Sequence, residues 1–279
     1  MMGEIGYRPS RRVRLRSMTH LRACIRSIGH LQRLSQPFAS AVLSANPTPF
    51  TSTVHQTFIR RNMASAMAKR LEGKTILVTG ASSGIGKSTA KEFARTSPKN
   101  LKLILTARRI DTLKEGVAQA PEIAAEDIKV MFDTNVTGLI NMTQAILPIF
   151  KKRSEGGRGD IINIGSIAGR EPYSGGSIYC ATKAAVRSFT DALRKELIAT
   201  RIRVIEIDPG QVETEFSVVR FYGDKSKADA VYKGVEPLTG DDIAEIVVFA
   251  AGRRENVVIA DTLVFPSHQA AAGVMHRKA

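Results

Sequence analysis

Tyr179 and Lys183 stand four residues apart in the run Tyr-Cys-Ala-Thr-Lys. That spacing puts both side chains on one face of a helix. A phenol is a weak base at its ordinary pKa of about 10, but a neighbouring ammonium favours the phenolate. Such a pair can take a proton from an alcohol or return one to a carbonyl oxygen. Oxidation of the alcohol also needs a separate acceptor for hydride. Taken alone, Tyr-x-x-x-Lys equally describes a solvated helix face.

The elements around the pair narrow the choice. Val186, Phe189, Leu193 and Leu197 recur three or four apart and predict an amphipathic helix over 183–199. The apolar run 160–165 (DIINIG) predicts a strand, and Ser166 follows it directly, thirteen residues before Tyr179. Asn135 lies upstream in FDTNVTG, within a predicted helix over 122–152.

A second signal lies near the start of the folded region. KTILVT predicts a buried strand over 74–79. The turn Gly80-Ala-Ser82-Ser83-Gly84-Ile85-Gly86 comes next, then a helical pattern over 86–95. Strand, glycine-rich turn and helix form the arrangement that binds a dinucleotide pyrophosphate. The glycines allow close backbone approach, and the helix N-terminus offers free N–H groups. The same residues without a ligand would make an ordinary tight turn. The next strand, predicted over 101–106, ends in Ala107-Arg108-Arg109 where an acid would hold a ribose 2′-hydroxyl. A guanidinium instead forks onto a phosphate, so NADP is expected over NAD. An ordinary solvated arginine pair is the alternative.

Together these residues resemble the short-chain dehydrogenase/reductase family. The resemblance rests on Thr79-Gly80-Ala-Ser-Ser-Gly84-Ile-Gly86, Asn135, Asn163-Ile-Gly-Ser166, Tyr179-x-x-x-Lys183 and Asp208-Pro209-Gly210-Gln-Val212-Glu-Thr214. GSIAGREPYSGGSIYCATK, VETEFSVVR and IADTLVFP are further similar to NADP-dependent 3-hydroxy acid dehydrogenases. The resemblance implies oxidation of serine, allo-threonine or 3-hydroxypropionate-class acids, and the reverse reduction of malonic semialdehyde. It implies that Tyr179 is the proton carrier, that Lys183 also holds the nicotinamide ribose, and that Asn135 holds a relay water. Ser166 can hydrogen-bond the substrate oxygen and stabilise developing alkoxide character. Pro209, Gly210, Val212 and Thr214 would border the nicotinamide. A substrate carboxylate calls for a forked cation, and Arg220 and Arg170 are the candidates.

The implied fold is a doubly wound, Rossmann-like α/β domain over 70–279 with a mostly parallel sheet. Its remaining elements are expected near 202–207 and 260–265 (strands) and 240–251 (helix). One part of the family pattern is missing. Only 25 residues separate Arg109 from Asn135. The expected third and fourth strands have no counterpart there, a loss of roughly fifty residues between Glu115 and Gly116. The sheet is thus expected to lack two of the family's seven strands. The fourth is central, so its neighbours must either stay unpaired or close up by about 4.8 Å. A catalytically impaired form, acting at most as an assembly partner, is therefore the alternative function.

The charge of +15 is confined to one end. Residues 1–70 hold twelve Lys/Arg and one acid, a net +11, and the rest is near balance. Nucleic acid is therefore not an expected partner. The segment 1–69 is an Arg-rich, Ser-rich and acid-poor extension with an apolar stripe (Leu15, Met18, Leu21, Ile25, Ile28, Leu31). This is the composition of a mitochondrial transit peptide, so the matrix is the expected location. A start at Met63 or Met67 would instead give a cytoplasmic form. No apolar run is long enough to span a membrane. Two cysteines exclude a disulfide scaffold, and no metal site is expected. The resemblance implies a homodimer or tetramer, joined through the helices bearing Asn135 and Tyr179.

Overall fold

The run KTILVT forms β1 (Thr75–Thr79), and the glycine-rich turn leads into α2 (Gly84–Thr96). β2 (Lys102–Thr106) returns parallel to β1, with Leu77 opposite Ile104. This computed structural model describes residues 65–96, 98–107, 123–220 and 223–278. Arg108, Arg109 and the extension up to residue 64 lie outside the described residues.

The chain resumes in α3 (Ala125–Phe132), a π turn (Asp133–Thr137) and α4 (Gly138–Lys151). β3 (Arg158–Ile164) and a 3₁₀ turn (Ile167–Gly169) precede α5 (Ser177–Glu196) and β4 (Arg201–Pro209). Short β5 (Val212–Glu213), α6 (Phe216–Arg220), α7 (Lys225–Tyr232) and β6 (Leu238–Thr239) lead to α8 (Gly240–Ala251) and β7 (Asp261–Val264). A terminal ribbon pairs β8 (Gln269–Ala271) with β9 (Val274–Met275).

The five main strands form where hydrophobic patterning put them. Three boundaries differ. The helix expected over 122–152 is interrupted by the π turn. α5 begins at Ser177 rather than 183, because Tyr179 to Thr182 extend its first turns without a breaker. The folded body also starts before residue 70. A helix over 65–71, α1, buries Leu71 to 3% exposure and packs Met67 on the core. Arg70 Nη1 donates to the Gly252 carbonyl at 2.9 Å. A start at Met67 would therefore cut into a packed helix.

Among the described residues the main parallel strands form two separate pieces, β1–β2 and β3–β4–β7. Neither closure nor pairing joins β1 to β3. A helix layer bridges them instead. Phe93 of α2 and Ile243, Val247 and Val248 of α8 share one core cluster with Ile205 and Ile207 of β4. Ile76 and Leu103, from β1 and β2, pack on that same cluster. On the opposite face the paired Leu77 and Ile104 remain 37% and 52% exposed. β4 by contrast is buried from Ile202 to Pro209. On β3 Asp160 lies opposite Arg203 in register, and its two carboxylate oxygens each take one guanidinium nitrogen at 2.6 Å. Arg203 Nη2 also reaches the Ala251 carbonyl at 2.9 Å, tying β4 to the end of α8.

Candidate active site

Ser166 leaves β3 in an extended conformation. Its amide donates to Asp208 Oδ1 at 2.9 Å, and its hydroxyl oxygen accepts the Ala168 amide at 3.1 Å. The hydroxyl thus caps the 3₁₀ turn, the role short hydroxyl side chains favour at such starts. Lys183 Nζ donates to the Ile164 carbonyl at 3.0 Å, which fastens α5 to the end of β3 just ahead of Ser166. The contact is close, since a Cβ on Gly169 would lie 2.7 Å from the Lys183 carbonyl oxygen. The Tyr179 ring centroid lies 5.8 Å from Lys183 Nζ and 5.5 Å from the Phe216 ring on α6.

Asn135 joins the same seam from the π turn. Its Nδ2 donates to Thr182 Oγ1 at 3.3 Å, and that hydroxyl donates to the Tyr179 carbonyl at 2.8 Å. The Gly138 amide bonds back to the Asp133 carbonyl, so the helix widens by one residue around Asn135. Single π turns of this kind are frequent at functional sites. Nothing in DTNVT marks it by composition, which is why an unbroken helix is the natural expectation from sequence.

The glycine-rich turn has the geometry a pyrophosphate requires. Gly80 and Gly84 have φ of +65° and +49°. A Cβ on Gly86 would sit 2.3 Å from the Gly80 carbonyl oxygen. The first turn of α2 holds no acid, so its free N–H groups and partial positive charge are unopposed. Ser82 and Ser83 lie in the turn, and Ile85 points into the core. Beyond β4 the chain comes back to this turn. The position of a Gly84 Cβ is 3.4 Å from Thr214, and Thr214 Oγ1 accepts the Phe216 amide at 3.2 Å. Pro209 ends β4 beside Val264. Gly210 is backed by Gln269, whose Oε1 accepts the Gln211 amide at 2.8 Å. Val212 packs on the core while its carbonyl accepts the Tyr232 hydroxyl at 3.1 Å. These residues fit a dinucleotide lying from Gly80–Gly86 towards Pro209–Thr214. Gly86→Ala is expected to weaken NADPH binding at least ~10-fold, because the new methyl and the Gly80 carbonyl cannot both keep their places. Isothermal titration of the variant checks this.

The arginines divide. Arg170 Nε donates to Asp208 Oδ2 at 2.7 Å, and its Nη2 also reaches Asp261. Its Nε and Nη2 are thus engaged by acids of β4 and β7, where a substrate carboxylate was the expectation from sequence. Arg220 ends α6, and its side chain lies outside the described residues. Patterning also missed the acids beneath Ser166. Glu206 and Asp208 are each 1% exposed in β4, a strand that also buries Arg203. The sign was present in RVIEIDPG, where two acids share the face of a strand that must be buried on both sides. Burial and then the adjacent Asp208 carboxylate push the Glu206 carboxyl up to about 7.

Comparison with known proteins agrees with this geometry. The short chain dehydrogenase family profile matches residues 106–221. The chain is 50% identical to the NADP-dependent 3-hydroxy acid dehydrogenase of Schizosaccharomyces pombe over 260 aligned residues, covering 75% of this chain and 98% of that protein. It is 33% identical to the serine 3-dehydrogenase of Agrobacterium fabrum over 246 residues, covering 71% and 96%. The solved closed form of a serine dehydrogenase complexed with NADP+ superposes with a TM-score of 0.64 at 33% identity, covering 74% and 100%.

Proposed function

Since this chain belongs to the short-chain dehydrogenase family, we propose that it is an NADP-dependent oxidoreductase acting on the 3-hydroxyl of small 3-hydroxy acids such as serine, allo-threonine and 3-hydroxypropionate. The observation that carries the reading is the approach of Gly84 to Thr214. It keeps the pyrophosphate turn against the loop after β4, two residues before Phe216, whose ring lies 5.5 Å from that of Tyr179.

Each residue then has a task. Bound in this site, NADP supplies the hydride acceptor. Tyr179 accepts the hydroxyl proton, helped by the ammonium of Lys183. Ser166 donates to the substrate oxygen as negative charge gathers there. Asn135, set by the π turn and by Thr182, holds the water that links Lys183 to solvent. Arg108 and Arg109 take the 2′-phosphate. Arg220 takes the substrate carboxylate, since Arg170 is occupied. Arg220→Ala is expected to raise KM for serine by ~10- to 100-fold with a smaller change in kcat, as loss of a forked ion pair does. Arg170→Ala should instead lower stability. An unchanged KM for Arg220→Ala would remove that residue from the substrate site.

A second reading has its own observation. The edges of β1 and β3 lie unpaired among the described residues. The alignment with the fission-yeast relative points the same way. It runs over 260 positions, yet 75% of 279 residues is only about 209. About fifty positions are therefore filled by the relative alone, which supports a lost βαβ-sized segment. On this reading the chain is catalytically impaired and serves as an assembly partner. Apolar Met142 and Ile149, 39% and 54% exposed on α4, offer a face for a second copy. Steady-state reduction of NADP+ with serine separates the readings. Turnover that saturates in serine supports the enzyme. A folded chain that binds NADPH without turnover supports the impaired form.

A further inference from the structure

Beneath Ser166 two carboxyl groups lie together against Gly165. A Cβ on Gly165 would fall within 2.6 Å of both Glu206 Oε1 and Asp208 Oδ1. Both acids are 1% exposed. Asp208 is fully engaged. Oδ1 accepts the Ser166 amide at 2.9 Å and Oδ2 accepts Arg170 Nε at 2.7 Å, while Arg187 Nη1 lies 3.5 Å from Oδ2 as an ion pair. Glu206 differs. No cation lies within ion-pair distance of it among the described residues, and its Oε1 is buried without a partner.

The surrounding charges are already balanced without Glu206. Arg170 from the turn after β3 and Arg187 from α5 face Asp208 and Asp261 of β7. Asp191 of α5 is matched by Arg194 at 2.7 Å. In register Glu206 lies between neutral Asn163 of β3, which bonds Thr190 at 2.9 Å, and Asp261 of β7, and the attraction of Arg187 is outweighed by burial and by Asp208. An ionised Glu206 would thus be one uncompensated buried charge pressed against another carboxylate, which is strongly unfavourable. A protonated Glu206 resolves both faults, because its O–H can donate to Asp208 and give Oε1 a partner.

We propose that Glu206 and Asp208 share a single proton, and that this protonated pair is the positioning element that holds the Ser166 turn through the Asp208–amide bond. Neither acid touches substrate, so both act through Ser166. The inference rests on the reading of Ser166 as the donor to the substrate oxygen only for its catalytic consequence. The shared proton and its grip on the turn stand on geometry alone.

The sign of the pH dependence follows. The folded chain keeps a proton that the unfolded chain releases in the ordinary carboxylate range. The stabilisation is whole below that range and is lost as pH rises through about 7. Hydrogen–deuterium exchange of the full chain, followed in peptides covering residues 163–170 and corrected for the intrinsic rate, reads this directly. Between pH 6 and pH 8 the Ser166 amide is expected to lose ~10-fold protection. In Glu206→Gln, whose amide donates at every pH, protection should stay constant. Glu206→Leu removes the proton with the carboxyl and should also give a pH-independent value, so the test survives if one variant folds poorly. Equal loss of protection in wild type and both variants would overturn the proposal. So would constant protection in the wild type. Exchange needs no turnover, so failure of the dehydrogenase reading would show separately, as absence of NADP+ reduction with an intact exchange pattern.

Discussion

Tyr179→Phe is expected to lower kcat for serine oxidation by ~100- to 10,000-fold, the range that loss of a positioned proton carrier produces. NADPH affinity should stay within ~3-fold, because binding is assigned to the glycine-rich turn and to Lys183. The two effects separate because the phenol and the ammonium have different anchors. Lys183 is fixed by the Ile164 carbonyl, whereas the Tyr179 ring rests on Phe216. Removing one oxygen leaves that ring contact intact. Single-turnover and titration measurements on the same preparation give both numbers. A variant that keeps more than a tenth of wild-type kcat would take the proton step away from Tyr179.

Inserting between Glu115 and Gly116 the stretch of the fission-yeast relative that has no counterpart here should raise Tm by ~10 °C or more, and turnover by at least ~100-fold. On the proposal that this stretch carries a central strand, it would pair the free edges of β1 and β3, each bond contributing about 1 kcal/mol. Its crossover helix would cover Leu77 and Ile104, each then gaining about 1 kcal/mol from burial of its exposed surface. Several kcal/mol correspond to ~2–4 °C each in a domain of this size. The gain in turnover comes from geometry, since reacting groups displaced by about 1 Å already lose catalysis heavily. Differential scanning calorimetry and steady-state kinetics on the two chains make the comparison. An unchanged Tm would mean that the two sheet pieces need no strand between them.

Much of this architecture could be read from residue order. The β-branched runs at 74–79 and 160–165 are short, apolar and bounded by glycine, so the strands they form were unambiguous. Tyr179 and Lys183 share a helix face whatever the tertiary contacts. The π turn at Asn135 could not be read, because it depends on how α3 and α4 pack on α5 rather than on local composition. The fate of Arg170 was equally hidden. An arginine four residues after Ser166 suits a substrate carboxylate or a buried acid equally well, and only the fold places Asp208 and Asp261 against it. The short stretch between Arg109 and Asn135 suggested a sheet either gaping or shifted. That the helix layer of α2 and α8 would hold both pieces on one core was a tertiary fact with no local signal.

The most direct measurement is calorimetric titration of the full chain, as it stands, with NADPH and with NADH. A complete dinucleotide site formed by Gly80–Gly86 and the Pro209–Thr214 loop, with the Arg108–Arg109 pair, predicts one NADPH per chain, bound at least ~10-fold more tightly than NADH. A folded chain that binds neither nucleotide, or that binds both alike, would contradict it.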